Sequence, residues 1–400
     1  MVGFRRFRVA SVGLYYAGLF LAVLIGATSR QLNLLMLLGC LMGGPLAISL
    51  LYGRWALRSL RIVRRLPSHL HAGERLRVEI EVTNQRRFFA QWSLRIEDTV
   101  VRAAELPADE APVTVGVFLP HVPAGATRQC SYEGELPRRG RYRFGPLRAT
   151  TRFPLGLVRH DLEFRGEHQL LVHPRLGQLN PNWVKMIREH ESGSQRMARR
   201  GMLEDDFYGL REWRPGDSRR WIHWRTSARH GSLVVRQFEQ RRSQNLAILL
   251  DLWQPEEPNE QDEARVETAV SFVATLLTEV CRKPGAHLHL EIAAGEPLRS
   301  SGAGSPVFLR EQMDALALAT PHCSETLPAE LGHALALIPA ATPTLLVSTR
   351  AVDWEALRAA ASERDTQVDS RVLLEVNVDS AEFSRYYQAW ASSQSELVHN

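Results

Sequence analysis

The chain has 400 residues, 44% apolar and 23% charged, which is the composition of folded protein and excludes a wholly disordered or collagen-like chain. Its formal charge of +5 does not mark a nucleic-acid binder, because residues 1–65 hold nine arginines and no carboxylate, leaving the remainder net acidic. Four scattered cysteines, Cys40, Cys130, Cys281 and Cys323, form no C-x-x-C pair, so neither a disulfide framework nor a cysteine zinc site is indicated and a reducing compartment fits.

Residues 9–28 contain no charge and would span about 30 Å as a helix, one hydrocarbon thickness. Residues 32–52 do the same, and Pro45 with Gly39, Gly43 and Gly44 suits close helix packing in lipid. Only Ser-Arg-Gln separates them, which predicts a transmembrane hairpin. A cleaved signal peptide is the other reading of the first segment, but the second would still hold the chain in the bilayer. Arg5, Arg6 and Arg8 precede the first span, Arg54, Arg58, Arg61, Arg64 and Arg65 follow the second, and the turn has only Arg30. Positive charge stays inside, so both ends and the large remainder are expected in the cytoplasm. The cluster at 54–65 also suits anionic headgroups.

From about 70 to 165 short runs such as ERLRVEIEVTN alternate apolar and polar residues between Pro and Gly, which predicts an antiparallel, immunoglobulin-like β-sandwich. Between about 206 and 240, DFYGLREWRP should run extended and turn at Pro215-Gly216. Asp217 or Ser218 would then cap a helix through RRWIHWRTSAR, Gly231 would end it, and SLVVRQFEQR would resume as a strand. From 245 onward strands (NLAILLDLW, AHLHLEIAA, TPTLLVST, SRVLLEVNV) alternate with amphipathic helices, the last over SAEFSRYYQAWASS. That order predicts a parallel sheet covered on both faces, with ligands at the carboxyl end of its strands. The predicted divisions are an anchor (1–65), the sandwich (66–165), an Arg/Trp segment (166–244) and the α/β domain (245–400).

The stretch LREWRPGDSRRWIHWRTSARHGSLVVRQFEQ closely resembles the signature of the domain of unknown function 58 family, and so do PRRGRYRFGPLRATTRFPLGLVR and LLVHPRLGQL. The resemblance covers the whole chain and implies a bacterial inner-membrane protein with a von Willebrand factor A-like, Rossmann-like α/β domain. One departure is His223, where the family usually places Asp. The von Willebrand pattern places Asp-x-Ser-x-Ser after the first strand, with Thr and Asp from later loops, and these oxygens suit a divalent cation. Here Trp253 and Pro255 take the Ser positions after Asp251, and Ser348-Thr349 stands where Asp is needed, so metal binding and any cofactor are not expected.

No Walker loop, H-E-x-x-H or G-x-S-x-G occurs, and Glu204-Asp205-Asp206 reads as an acidic turn rather than a catalytic pair. The chain is therefore expected to be no enzyme. Arg and Trp dominate binding hot spots, so Arg211, Glu212, Arg214, Pro215, Gly216, Asp217, Arg220, Trp224 and Arg229 are the candidates for docking a partner or for fixing domain geometry. In the architectural case Trp213, Trp221, Ile222 and Trp224 pack while the arginines pair with Glu212 and Asp217. The resemblance implies a membrane-tethered adaptor or assembly factor partnered by the lipid bilayer and a MoxR-type AAA+ ATPase, with other von Willebrand-type proteins nearby. Two rivals are a metal-dependent ligand-binding or hydrolytic domain at the Asp251 end and single-stranded nucleic-acid binding through the Arg/Trp segment. No recognised nucleic-acid module surrounds that segment, so nucleic acid is not expected as a partner.

Overall fold

A computed structural model describes residues 2–30, 33–103, 112–164, 166–180, 206–214, 217, 219–239, 245–282, 285–324, 329–339, 342–352, 373–380 and 383–389. The chain divides into two compact units, Met1–Arg175 and Leu176–Asn400.

In the first unit β1 (Val2–Val9) runs into α1 (Ser11–Arg30), and α2 (Asn33–Ala56) returns through a 3-10 turn to β2 (Leu60–Arg65). Both helices are long and apolar enough to cross a membrane. They pack side by side where small residues let them approach: Gly43 faces the Phe20 ring, Gly39 faces Leu24, and Tyr16 Oη donates to the Met42 carbonyl at 3.0 Å. Outward-facing Leu14, Leu19, Leu34, Leu37 and Leu41 are exposed, as a lipid-facing surface requires.

The remaining strands are β3 (Leu70–His71), β4 (Arg75–Asn84), β5 (Gln91–Arg102), β6 (Val113–Val122), β7 (Thr127–Glu135), β8 (Gly140–Phe144), β9 (Leu147–Thr151), β10 (Val158–Phe164) and β11 (His168–His173). One sheet runs β1-β10-β9-β5-β8-β11-β3 with β6 also on β5, and the other runs β2-β4-β7. Strict alternation along β4 turns Leu76, Val78, Ile80 and Val82 inward and Arg75, Arg77 and Glu79 outward. These inward side chains share one core with Leu94, Ile96, Phe144, Ala149 and Leu162 of the larger sheet.

Two sequence expectations change here. Val2–Val9 and Leu60–Arg65, assigned above to the anchor, are sheet strands antiparallel to β10 and β4, and β11 belongs to the same body rather than to the following segment. Arg64, counted among the headgroup arginines, points into the core instead. Its Nη2 meets Asp98 Oδ1 at 2.5 Å with both side chains at 0% exposure, and it also donates to the carbonyls of Phe144 and Gly145. Tyr132 Oη donates to the second Asp98 oxygen at 2.7 Å. Burial pushes the Asp98 carboxyl up, and the Arg64 guanidinium and the Tyr132 hydroxyl pull it back.

In the second unit the order is β12 (Gln178–Leu179), β13 (Asp206–Glu212), a 3-10 turn Arg219–Trp221, α3 (Trp224–His230), β14 (Val234–Glu239), β15 (Leu246–Asp251), α4 (Glu260–Cys281), β16 (His287–Ala293), β17 (Leu298–Ala303), α5 (Pro306–Leu318), α6 (Ala329–Leu337), β18 (Thr344–Ser348), β19 (Leu373–Asn377), α7 (Phe383–Tyr386) and β20 (Tyr387–Gln388). The main sheet is β17-β16-β15-β18-β19. The central strand β15 is buried at every residue: Leu246, Ile248 and Leu250 face α4, while Ala247 and Leu249 face Leu331, Ala334 and Leu335 of α6. Asn259 opens α4 with a reciprocal capping box to Asp262.

The sheet is not wholly parallel, because β17 returns antiparallel to β16 on an edge. The last predicted helix is cut to one turn within the described residues. Tyr387 instead enters β20 opposite Leu179, and its ring lies between Phe272, Phe383 and Gly177, where a Cβ at 177 would overlap it. The helix predicted over VDWEALRAAASE lies mainly outside the described residues.

Replacing Arg64 by Met strands a buried carboxylate and should cost about 3–5 kcal/mol in a urea melt of the solubilised chain. The paired change Arg64→Met/Asp98→Leu should recover most of that loss; equal destabilisation by both would refute the ion-pair account.

Candidate functional site

The Arg/Trp segment is a small self-braced structure. Strands β13 and β14 pair antiparallel, and Trp213, Ile222 and His223 between them bond back to the Leu233–Val235 stretch. Arg211 grips Asp217 with both arms of its guanidinium, Nη1 to Oδ2 at 2.7 Å and Nη2 to Oδ1 at 2.6 Å. The Arg214 amide donates to Asp217 Oδ2 at 2.9 Å, and the Asp217 amide donates to the Arg214 carbonyl at 3.0 Å. Asp217 is thus the knot of a turn and caps no helix. The fork geometry of arginine makes the contact directional as well as strong.

The helix begins later than predicted. Residues 219–221 form one 3-10 turn, and α3 starts at Trp224 with His223 as its N-cap. His223 Nδ1 accepts from the Thr226 amide at 3.3 Å and sits 2.8 Å from Thr226 Oγ1. A carboxylate at 223 would accept the same orphan amide, so the departure at this position preserves capping with an imidazole. Gly231 ends α3 with φ 68°, a left-handed conformation for which glycine carries no Cβ penalty.

The candidate residues separate into two groups. Arg211, Asp217 and the Arg214 backbone build the clamp, and Trp213 supports it with its own amide on the Leu233 carbonyl. Glu212, Arg229 and the Arg214 side chain are exposed, and Trp224 is 67% exposed. Trp224 therefore does not pack as expected, whereas Trp221 is only 37% exposed. A seven-residue helix offers one narrow inner stripe, and Ser227, hydrogen-bonded to Val234, fills it beside buried Ile222. Pro215, Gly216 and the Arg220 side chain lie outside the described residues.

The second place of interest is the carboxyl end of β15. Asp251 is 0% exposed, and its carboxylate is met by three side chains from two segments. His322 Nε2 lies 2.8 Å from Oδ1, Ser348 Oγ donates to Oδ2 at 2.9 Å, and Arg350 Nε donates to Oδ2 at 3.1 Å. Arg350 also lies over the Trp253 ring, 5.4 Å from its centroid, and donates to the Ser324 carbonyl. Thr349 Oγ1 receives the Trp253 amide and donates to its carbonyl at 2.6 Å, locking the two loops together. The residues here do not fit a divalent cation. A guanidinium already neutralises Asp251, and among the described residues no three His, Cys, Asp or Glu gather as ligands. Arg350 and His322 were not singled out from the sequence. Arg350 carried a faint signal, a basic residue just past the strand beside Asp251; His322, 71 positions away, carried none.

Residues 209–366 match the family model described as "Protein of unknown function DUF58". The matched segment covers less than half of the chain. It takes in the Arg211–Asp217 clamp, α3 and the Asp251 end. The uncharacterized protein YeaD of Bacillus subtilis (strain 168) is 26% identical over 262 residues, 65% of this chain and 60% of YeaD. The chain thus spans less than two thirds of that relative. Among solved structures, a β-glucosidase from Listeria innocua in complex with isofagomine gives a TM-score of 0.20 at 16% identity, over 28% of this chain and 16% of that one. The sporulation control protein Spo0M from Bacillus subtilis gives 0.18 at 10% identity, over 39% and 58%. Scores this low do not establish a common fold.

In the DUF58 segment, the Arg211 guanidinium and the Arg214 amide hold the Asp217 carboxyl below its ordinary range. The clamp's contribution is therefore complete above the ordinary aspartate value and is lost as pH falls through the lower folded value. The Trp213 indole N–H, which donates to the Asp217 carbonyl at 3.4 Å, should shift its resonance only below the ordinary aspartate range. In Arg211→Met that transition should move upward; a wild-type transition at the ordinary value would contradict the clamp.

Proposed function

We propose that the protein is a membrane-tethered, non-catalytic adaptor or assembly factor that works through protein–protein contacts. Its partner in this reading is an AAA+ ATPase of the MoxR type, with other von Willebrand-type proteins as further neighbours. The observation that carries the reading is Trp224, solvent-exposed on a short helix held by a His223 N-cap and a Gly231 C-cap. A large aromatic displayed on a rigid support, with exposed Arg225 and Arg229 beside it in sequence, is the composition of a binding hot spot. The closed Asp251 end supports the same reading, because it leaves the usual ligand position of an open α/β sheet filled by the chain's own side chains. The arginine distribution supports a cytoplasmic placement of both units at a bacterial inner membrane. An immunoglobulin-like sandwich for the first unit and a von Willebrand factor A-like domain for the second complete the proposal. The ATPase as partner rests on the family resemblance.

Crosslinking and affinity recovery from membranes should capture a cytosolic AAA+ ATPase with the wild type. Trp224→Ala/Arg229→Ala, both at exposed positions, should lower recovery by roughly tenfold or more at normal abundance, as hot-spot truncations do. Equal recovery with both proteins would sink the docking role of α3.

A further inference from the structure

The end of the first unit from which the two helices emerge carries a cluster that protein docking does not use. Residues 85–90 join β4 to β5, and they are tied to the point where α2 ends. Tyr52 Oη, in the last turns of α2, donates to the Ala90 carbonyl at 3.1 Å. The Gln85 amide donates to the Ser59 carbonyl at 2.8 Å, and Arg86 Nε donates to Ser59 Oγ at 2.8 Å. This loop therefore cannot leave the helix end. At its tip Phe88 is 82% exposed and Phe89 58% exposed.

Arg58, Arg86, Arg87, Phe88 and Phe89 together line an open pocket of about 460 Å³, with no carboxylate in its lining. A second loop flanks the other helix. The Ala10 amide, just before α1, donates to the Leu157 carbonyl at 3.1 Å, and Leu155 in the same turn is exposed. Between the two loops the Phe153 ring contacts both Tyr52 and the exposed Trp92.

Two phenylalanines held in water beside the exposed Arg58 and Arg87 make poor sense on a solvated face. In the headgroup layer each has a partner: rings enter the interface, and guanidiniums meet lipid phosphates with their fork of donors. We propose that the exposed Arg58 and Arg87 guanidiniums bind the phosphate of an anionic phospholipid, with Phe88 and Phe89 inserted into the bilayer surface beside α2. The site sets how the first unit rests on the membrane. It rests on the reading of α1 and α2 as membrane spans.

The test places the full chain in nanodiscs of phosphatidylcholine alone or mixed with phosphatidylglycerol and follows amide hydrogen exchange. Exchange across residues 85–90 should slow roughly tenfold in the anionic discs. The gain should vanish in Arg58→Gln/Arg87→Gln, both changes at exposed positions, while Gln91–Arg102 keeps its wild-type protection as a control of folding. Inorganic phosphate added to neutral discs should not reproduce the effect. Equal exchange in both lipids, a gain that survives in the variant, or protection by free phosphate would each overturn the proposal. Release of the chain from native membranes by alkaline carbonate would remove the spanning reading itself. A chain that stays inserted without lipid preference would remove only the headgroup site.

Discussion

A carboxylate buried at the carboxyl end of a central strand has to be neutralised, and in this chain the neutralising cation is a side chain. Asp251 ends a strand of the second unit that is buried at every residue, where water cannot solvate its charge. Arg350 from the end of the neighbouring strand and His322 from the segment after α5 converge on it. One charge thus ties together three segments far apart in sequence. The cost of leaving such a carboxylate unpaired, about 3–5 kcal/mol, makes the closed arrangement self-enforcing. Among the described residues, Arg350 and His322 occupy the position that an open sheet normally offers to a ligand.

The first unit solves a related problem at its helical hairpin. A hydrophobic hairpin of two helices joined to a body only at its end could swing freely. Here the chain enters the hairpin from one sheet strand, β1, and leaves it into another, β2, so both stems are fixed by ladders of hydrogen bonds. His160 Nε2, 3.0 Å from the Ser49 carbonyl, braces α2 further up its length. The Arg64–Asp98–Tyr132 cluster then pins β2 across to the larger sheet. The anchor and the β body are one construction in which a loop rich in Arg and Phe is held at the helix ends.

Much of this was readable before any coordinates. Charge-free runs of helix length, strict alternation along β4, and the unbroken apolar run of β15 each state their environment directly, because burial is the dominant constraint on those residues. What escaped has physical reasons. β1 and β2 are arginine-rich, and a basic flank beside an apolar span reads as headgroup chemistry before it reads as a strand. Arg64 differs from its neighbours Arg61 and Arg65 only in facing inward, which depends on register. Edge strand β17, Leu-Arg-Ser-Ser-Gly-Ala, has little apolar signal because an edge buries little. In the Arg/Trp segment the residue types were legible and their roles were not: Asp217 knots a turn, His223 caps the helix, and Trp224 faces solvent. Partner choice within a cluster of arginines and carboxylates is a matter of three-dimensional reach, which spacing alone does not encode.

The most direct test of the closed sheet end is calorimetric titration of Mn²⁺ into the full chain, wild type beside Asp251→Ala. The Arg350–Asp251 pair predicts no stoichiometric binding in the wild type and no difference between the two proteins. One ion bound per wild-type chain and lost in Asp251→Ala would show that a metal displaces the guanidinium. The second unit would then be a metal-dependent domain rather than one closed by its own arginine.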